Sequence, residues 1–189
     1  AGVAEQNMTG LACGLALEGH KVYTYSIANF TTLRALEQIR NDVCYHDADV
    51  TLVSVGGGFS YGQLGMSHFA TEDLTILRAL PNMEVIAPAD PWETKLLTRQ
   101  MATRSGPKYL RLDKGHAGTT EVPVELGKIR QVRNGSDLTL IGIGGILSEA
   151  LAAASILSTQ GIEARVLAVH SLKPFDVDPV LEAANQTGG

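Results

Sequence analysis

The sequence predicts an α/β protein: a parallel sheet with helices on both faces, followed by part of a second doubly wound α/β domain. Three observations carry that expectation. Strand-length apolar runs alternate with helical repeats along most of the chain. Turns rich in glycine and proline separate them. Hydrophobic residues make up 44% of the 189, enough to cover a sheet on two sides.

Residues 1–4 read as the tail of a strand. Met8, Leu11, Ala12, Leu15 and Ala16 then recur at the spacing of one helical face, and Gly19 closes that helix. Residues 21–26 alternate aromatic or β-branched side chains as a strand does. Leu33, Leu36, Ile39 and Val43 mark a second helix, with Arg34, Glu37 and Arg40 on its other side. An apolar strand at 50–55 runs into a glycine-rich loop at 56–65, a short helix at 72–80 and a strand at 84–87 that Pro88 stops. Asp90 and Pro91 form an N-cap and a first-turn proline for a helix reaching about Thr103, and residues 108–112 make one more strand.

From 113 to 137 the periodicity lapses, and a fresh strand, helix, strand, helix series begins at Leu138. Its strands are 138–143 and 164–169; its helices carry Ile146, Leu147, Ala150, Leu151, Ala154 and Leu157, and then start again near Asp176. The expected division is residues 1–125 and 126–189. Because two strands make no independently stable sheet, the chain is expected to begin partway through one domain and stop partway through the next.

Composition narrows the function. A net charge of −5, with 15 basic and 20 acidic residues spread along the chain, leaves no Lys/Arg block to track a phosphate backbone, so nucleic acid is not an expected partner. The apolar runs are too short to span a membrane, no signal-peptide pattern opens the chain, and a cytoplasmic location is expected. Cys13 and Cys44 fall in apolar helical patterns and read as buried thiols. His20, His46, His116 and His170 share no spacing for a metal site. Gly142-Ile143-Gly144-Gly145 has Leu147 where a dinucleotide loop needs its third glycine.

Four segments carry chemistry. Gly2-Val3-Ala4-Glu5-Gln6-Asn7-Met8, followed by Gly10, Ala12 and Gly14, resembles the motif in which transketolases, deoxyxylulose-phosphate synthases and ketoacid dehydrogenase β-subunits carry their cofactor glutamate. An isolated glutamate in a first helical turn ordinarily does no more than complement the helix dipole; the surrounding motif singles Glu5 out. Tyr25-Ser26-Ile27-Ala28-Asn29-Phe30 resembles the approach to the helix where such enzymes stack an aromatic ring on an aminopyrimidine, with Phe30 at the stacking position and Ile27 where many relatives have another aromatic. Gly65-Met66-Ser67-His68 is similar to the family's Gly-Pro-Thr-His loop, with Met66 in place of proline. Tyr109-Leu110-Arg111-Leu112 resembles the strand whose arginine reaches the substrate's phosphate or distal hydroxyl.

The resemblance is to the transketolase family: 1–125 to its pyrimidine-binding domain, 126–189, including Leu172-Lys173-Pro174-Phe175-Asp176, to the start of its C-terminal domain. It implies a thiamine diphosphate enzyme that moves a two-carbon ketol unit from a ketose to an aldehyde. Glu5 and His68 would be catalytic, Glu5, Ile27 and Phe30 would bind the cofactor, and His68 and Arg111 would meet the substrate. A carboxylic acid against the pyrimidine nitrogen makes the exocyclic amine basic enough to deprotonate the thiazolium. The diphosphate-binding domain, with its Gly-Asp-Gly and downstream Asn for Mg²⁺, has no counterpart in this sequence. The implied partner is therefore an N-terminal transketolase subunit that holds Mg²⁺, within a heterotetramer acting on sugars or sugar phosphates. No metal ligand is expected in this chain.

Two departures bear on the substrate. Gly56 and Leu64 stand where ordinary transketolases carry a substrate-binding histidine and aspartate, which points to a less hydroxylated, modified or nucleotide-linked substrate. The same resemblance extends to deoxyxylulose-phosphate synthase-like enzymes and ketoacid dehydrogenase β-subunits. A non-catalytic α/β interaction module is the reading from a different class.

Overall fold

The structure, a computed structural model, describes residues 1–115, 118 and 121–188; His116 lies outside them. Helix α1 (Glu5–Leu17) leads to strand β1 (Val22–Ile27), a short helix α2 (Ala28–Thr32) and a helical turn α3 (Leu36–Gln38) continuing as a π-helix over Ile39–Cys44. Strand β2 (Val50–Val55), helix α4 (Asp73–Ala79), strand β3 (Glu84–Ile86), helix α5 (Pro91–Ala102) and strand β4 (Lys108–Leu112) follow. The remainder is β5 (Arg130–Arg133), β6 (Leu138–Ile143), α6 (Leu147–Ser158), β7 (Ala164–Val169), β8 (Ser171–Lys173) and α7 (Asp178–Gln186).

The first sheet runs β1-β2-β4-β3-β8, with all neighbours parallel except β8, which pairs antiparallel with β3. Register sets Leu52 beside Tyr109 and Tyr109 beside Val85 in one row, and Val53, Leu110 and Ile86 in the next. Because side chains alternate across a strand, the two rows face opposite ways. The first row packs under Ala12 and Cys13 of α1, Ile39 and Val43 of the π-helix and Leu77 of α4. The second packs on Leu97 and Met101 of α5. This is the expected parallel sheet covered on both faces. Each of the leucines, isoleucines, valines and methionines among them contributes about 1.5–3 kcal/mol by leaving water. Asp90 caps α5 by accepting the Glu93 N–H at 2.8 Å, with Pro91 in the first turn.

Several expectations change. Residues 1–4 form no strand and pair with none of the described strands, so the first described element is α1. The buried side of α1 is Glu5, Thr9, Ala12 and Cys13, while Leu11, Leu15 and Leu17 face outward. Small residues let α1 lie close to the sheet, and the larger ones are left on its outer face. The helix expected at 33–43 is broken, because Ala35 leaves the helical region at φ −110° and ψ 16°. The second sheet has three strands, β5-β7-β6, since β5 adds antiparallel to β7 from the stretch without periodicity. Among the described residues no helix is long and apolar enough to cross a membrane, and no group of three His, Cys, Asp or Glu side chains gathers to hold a metal ion.

Candidate active site

The site grows from two junctions at one end of the first sheet. Glu5 opens α1, and its side chain is only 7% exposed. Ile27 ends β1 in an extended conformation and serves as the N-cap of α2, one turn ahead of Phe30. Thr31 and Thr32 return their hydroxyls to the carbonyls of Ile27 and Ala28 at 3.1 and 2.6 Å, holding that turn against β1.

The helix break that follows directs Arg34 back over this junction. Its Nη1 donates to Glu5 Oε2 at 2.9 Å, and its Cζ lies 4.4 Å from the centre of the Phe30 ring. Phe30 in turn meets the His68 ring edge to face at 5.0 Å. The loop bearing His68 is fixed from two sides: Asn29 Nδ2 donates to the Phe69 carbonyl at 2.8 Å, and Gly58 and Ala70 exchange backbone hydrogen bonds of 2.7 and 3.0 Å. Ser67 Oγ lies 2.9 Å from His68 Nδ1. The structure thus joins Glu5, Phe30 and His68 in one run of contacts, with half-buried Ile27 at its base.

Tyr61 extends that run. Its ring lies 5.9 Å from His68, and the Lys114 ammonium sits 3.6 Å above it. Gly56 has φ +86°, and a Cβ there would fall 2.2 Å from Tyr61 Cε2. The space over Gly56 is therefore filled by a tyrosine ring. Leu64 is 54% exposed on the same loop.

Arg111 takes a different place. It lies beneath Gly57, 11% exposed, between Asp73 and Asp113 at 3.5 Å each. Tyr109 donates to Asp73 at 2.6 Å. Burial holds the Asp73 carboxyl above its ordinary value, against the opposing pull of Arg111 and the Tyr109 hydrogen bond. Among the described residues Arg111 Nε and Asp113 Oδ1 have no hydrogen-bond partner. Both residues line a cavity of about 430 Å³ between the glycine-rich loop and the β6–α6 turn, with Ser148 and Glu149 on its far wall. Arg34, Asn29, Tyr61 and Lys114 were not singled out for the site from sequence. Periodicity marks Arg34 only as the outer face of a helix and the others not at all, and only the helix break and the loop closure bring them in.

A parallel α/β sheet with helices on both faces, a buried carboxylate opening one helix and an aromatic ring just past a strand-to-helix junction are the marks by which the chain is to be classed. Residues 1–119 match the transketolase pyrimidine-binding domain, and 127–189 match the transketolase C-terminal domain. The chain belongs to the transketolase family, whose members are transferases that depend on thiamine diphosphate. It is 36% identical over 99% of its length to an apulose-4-phosphate transketolase subunit of Phocaeicola vulgatus, covering 61% of that protein. It is 37% identical, again over 99%, to a 6-deoxy-6-sulfo-D-fructose transketolase subunit of a Clostridium species, covering 59%. Among solved structures, a split gene transketolase described as an inactive beta4 tetramer superposes with a TM-score of 0.88 at 36% identity, over 99% of this chain and 61% of that one. The chain thus spans about three fifths of the length of these relatives.

Proposed function

We propose that this chain is the pyrimidine-binding part of a split transketolase, in which residues 1–125 receive the aminopyrimidine of thiamine diphosphate and 126–189 begin the C-terminal domain. The observation that carries this reading is the pairing of a buried carboxylate, Glu5, with the face of Phe30. A flat, N–H-bearing group fits that pair: Arg34 already donates to the carboxylate while lying over the ring. Thiamine diphosphate supplies an acidic thiazolium carbon and an electron sink for breaking the bond beside a ketone. Glu5 holds or shares a proton at the pyrimidine ring nitrogen, Phe30 and Ile27 fix the plane of the ring, and His68 donates to a ketose hydroxyl or to the oxygen gaining charge. Arg111 supplies positive charge under the glycine-rich loop for a substrate's distal end.

The site is open on one side. Val3, Phe59, Leu64 and Met66 around it are exposed by 87, 71, 54 and 68%. Such an apolar rim suits a covering partner. The partner in this reading is an N-terminal transketolase subunit that holds the diphosphate and Mg²⁺, with the whole self-associating into a heterotetramer in the cytoplasm. The relatives named for apulose 4-phosphate and 6-deoxy-6-sulfo-D-fructose favour a modified ketose as donor, as do Gly56 and Leu64 where the family resemblance implies a polar pair.

Calorimetric titration of thiamine diphosphate with Mg²⁺ into the intact protein, with and without that partner, tests the reading. Binding is expected only in the assembled complex, with an imino-pyrimidine circular dichroism band that Glu5→Ala removes. Turnover should fall about 100- to 10,000-fold in that variant. Full ketol transfer by Glu5→Ala would sink the assignment.

A further inference from the structure

We propose that Arg34 is a built-in competitor of the cofactor: its guanidinium holds the Glu5 carboxylate and the face of Phe30 until the aminopyrimidine displaces it. This rests on reading Glu5 and Phe30 as the pyrimidine contacts. A guanidinium and an aminopyrimidine are both flat, both hydrogen-bond a carboxyl group, the first as an N–H donor and the second by sharing the carboxyl proton at its ring nitrogen, and both stack on an aromatic ring. Arg34 makes these two contacts at once, 2.9 Å from Glu5 Oε2 and 4.4 Å over Phe30. Two such flat groups cannot stack on the same ring face together, and a guanidinium held there also occupies the Glu5 oxygen beside it.

The chemistry of Glu5 sharpens the conflict. An ion pair with a guanidinium uses the carboxylate anion, whereas activation of the pyrimidine nitrogen needs Glu5 to share a proton. Arg34 therefore has to leave before Glu5 acts. It is built to do so. Its side chain is 40% exposed, and among the described residues its guanidinium makes no hydrogen bond, ion pair or ring contact besides those to Glu5 and Phe30. It also stands at the break between α2 and α3, so its swing opens no regular helical turn. Until then the pair serves the fold, because Glu5 without Arg34 would be a buried carboxylate lacking a partner. Arg34 is thus a positioning residue, and it lowers apparent cofactor affinity by the fraction of time it holds the site.

In the intact protein assembled with its diphosphate-binding partner, Arg34→Ala is expected to bind thiamine diphosphate with Mg²⁺ roughly fivefold more tightly by calorimetry. Added methylguanidinium should weaken binding to the variant, back toward the native value, and leave the native complex unchanged. Arg34→Gln, which keeps a flat polar tip but no charge, repeats the measurement should the alanine variant misfold. Unchanged or weaker binding in a folded Arg34 variant, or indifference of that variant to methylguanidinium, overturns the proposal. Glu5→Ala runs alongside. Binding that ignores Glu5 overturns the pyrimidine-site reading and this inference with it, while Glu5-dependent binding that ignores Arg34 overturns the inference alone.

Discussion

Tyr61 shows how one side chain reshapes a site. Gly56 combines a positive φ with a Cβ position 2.2 Å from the edge of the Tyr61 ring, so Gly56→Ala meets both backbone strain and a clash. It is expected to cost about 1–3 kcal/mol in urea unfolding. Adding Tyr61→Ala should recover the steric part and leave the backbone part. The two thiols give a second expectation. Burial pushes Cys44 up to about 11, Lys173 pulling it down and Asp47 pushing it up by less, and burial followed by Asp42 raises Cys13 too. Neither should react with a thiol reagent at pH 8 until the protein unfolds, when both should. At this scale the sequence was most legible where a motif carried the residue: Glu5, Phe30 and His68 meet as one cluster. Arg34 was legible only as the outer face of a helix, because its turn toward Glu5 depends on a break at Ala35 that no residue type announces.

Among the elements, the strands were read more accurately than the helices. An apolar run flanked by turns marks β2, β4, β6 and β7, whereas the three-residue β8 and the charged β5 are too short or too polar to carry a period. The start of the sheet holds a testable pair. Lys108, 1% exposed at the first position of β4, donates to Asp49 just before β2 at 2.7 Å and to the Gly106 carbonyl at 2.6 Å. Asp49→Ala strands that ammonium and should cost about 3–5 kcal/mol in chemical denaturation, more than Lys108→Met, which removes the charge with its partner. Burial alone would raise Asp49, but the hydrogen bonds and charges of Lys108 and Lys21 hold it below its ordinary value of 3.8. A carboxyl lowered in the folded state stabilises above its unfolded value, and the benefit disappears as pH falls through the folded one. The stability gap between native protein and Asp49→Asn should therefore be full at neutral pH and close below about pH 4.

Across the whole molecule, the chain's two parts are clasped by a buried cluster that sequence spacing did not disclose. Glu93, in the first turn of α5, accepts the Ala89 N–H at 2.7 Å and Arg130 Nε of β5 at 2.9 Å, with His170 Nδ1 3.7 Å away. His170 Nε2 lies 3.0 Å from the Glu125 carbonyl, which it can meet as a donor. Burial would raise Glu93, yet His170, the Ala89 N–H and Arg130 together hold its carboxyl below the ordinary value. Glu93→Ala leaves the Arg130 guanidinium without its anion and should cost about 3–5 kcal/mol. Differential scanning calorimetry should show the loss at neutral pH, shrinking as acid protonates Glu93 in the native protein. The strand β8 carries a practical lesson. It comes from the later part of the sequence yet seals the open side of β3 in the earlier sheet, so the chain's sequence halves are not separable pieces. A recombinant version ending near residue 125 would bare the backbone donors and acceptors of β3. Stickiness between copies, growing with concentration, is the behaviour to expect of it.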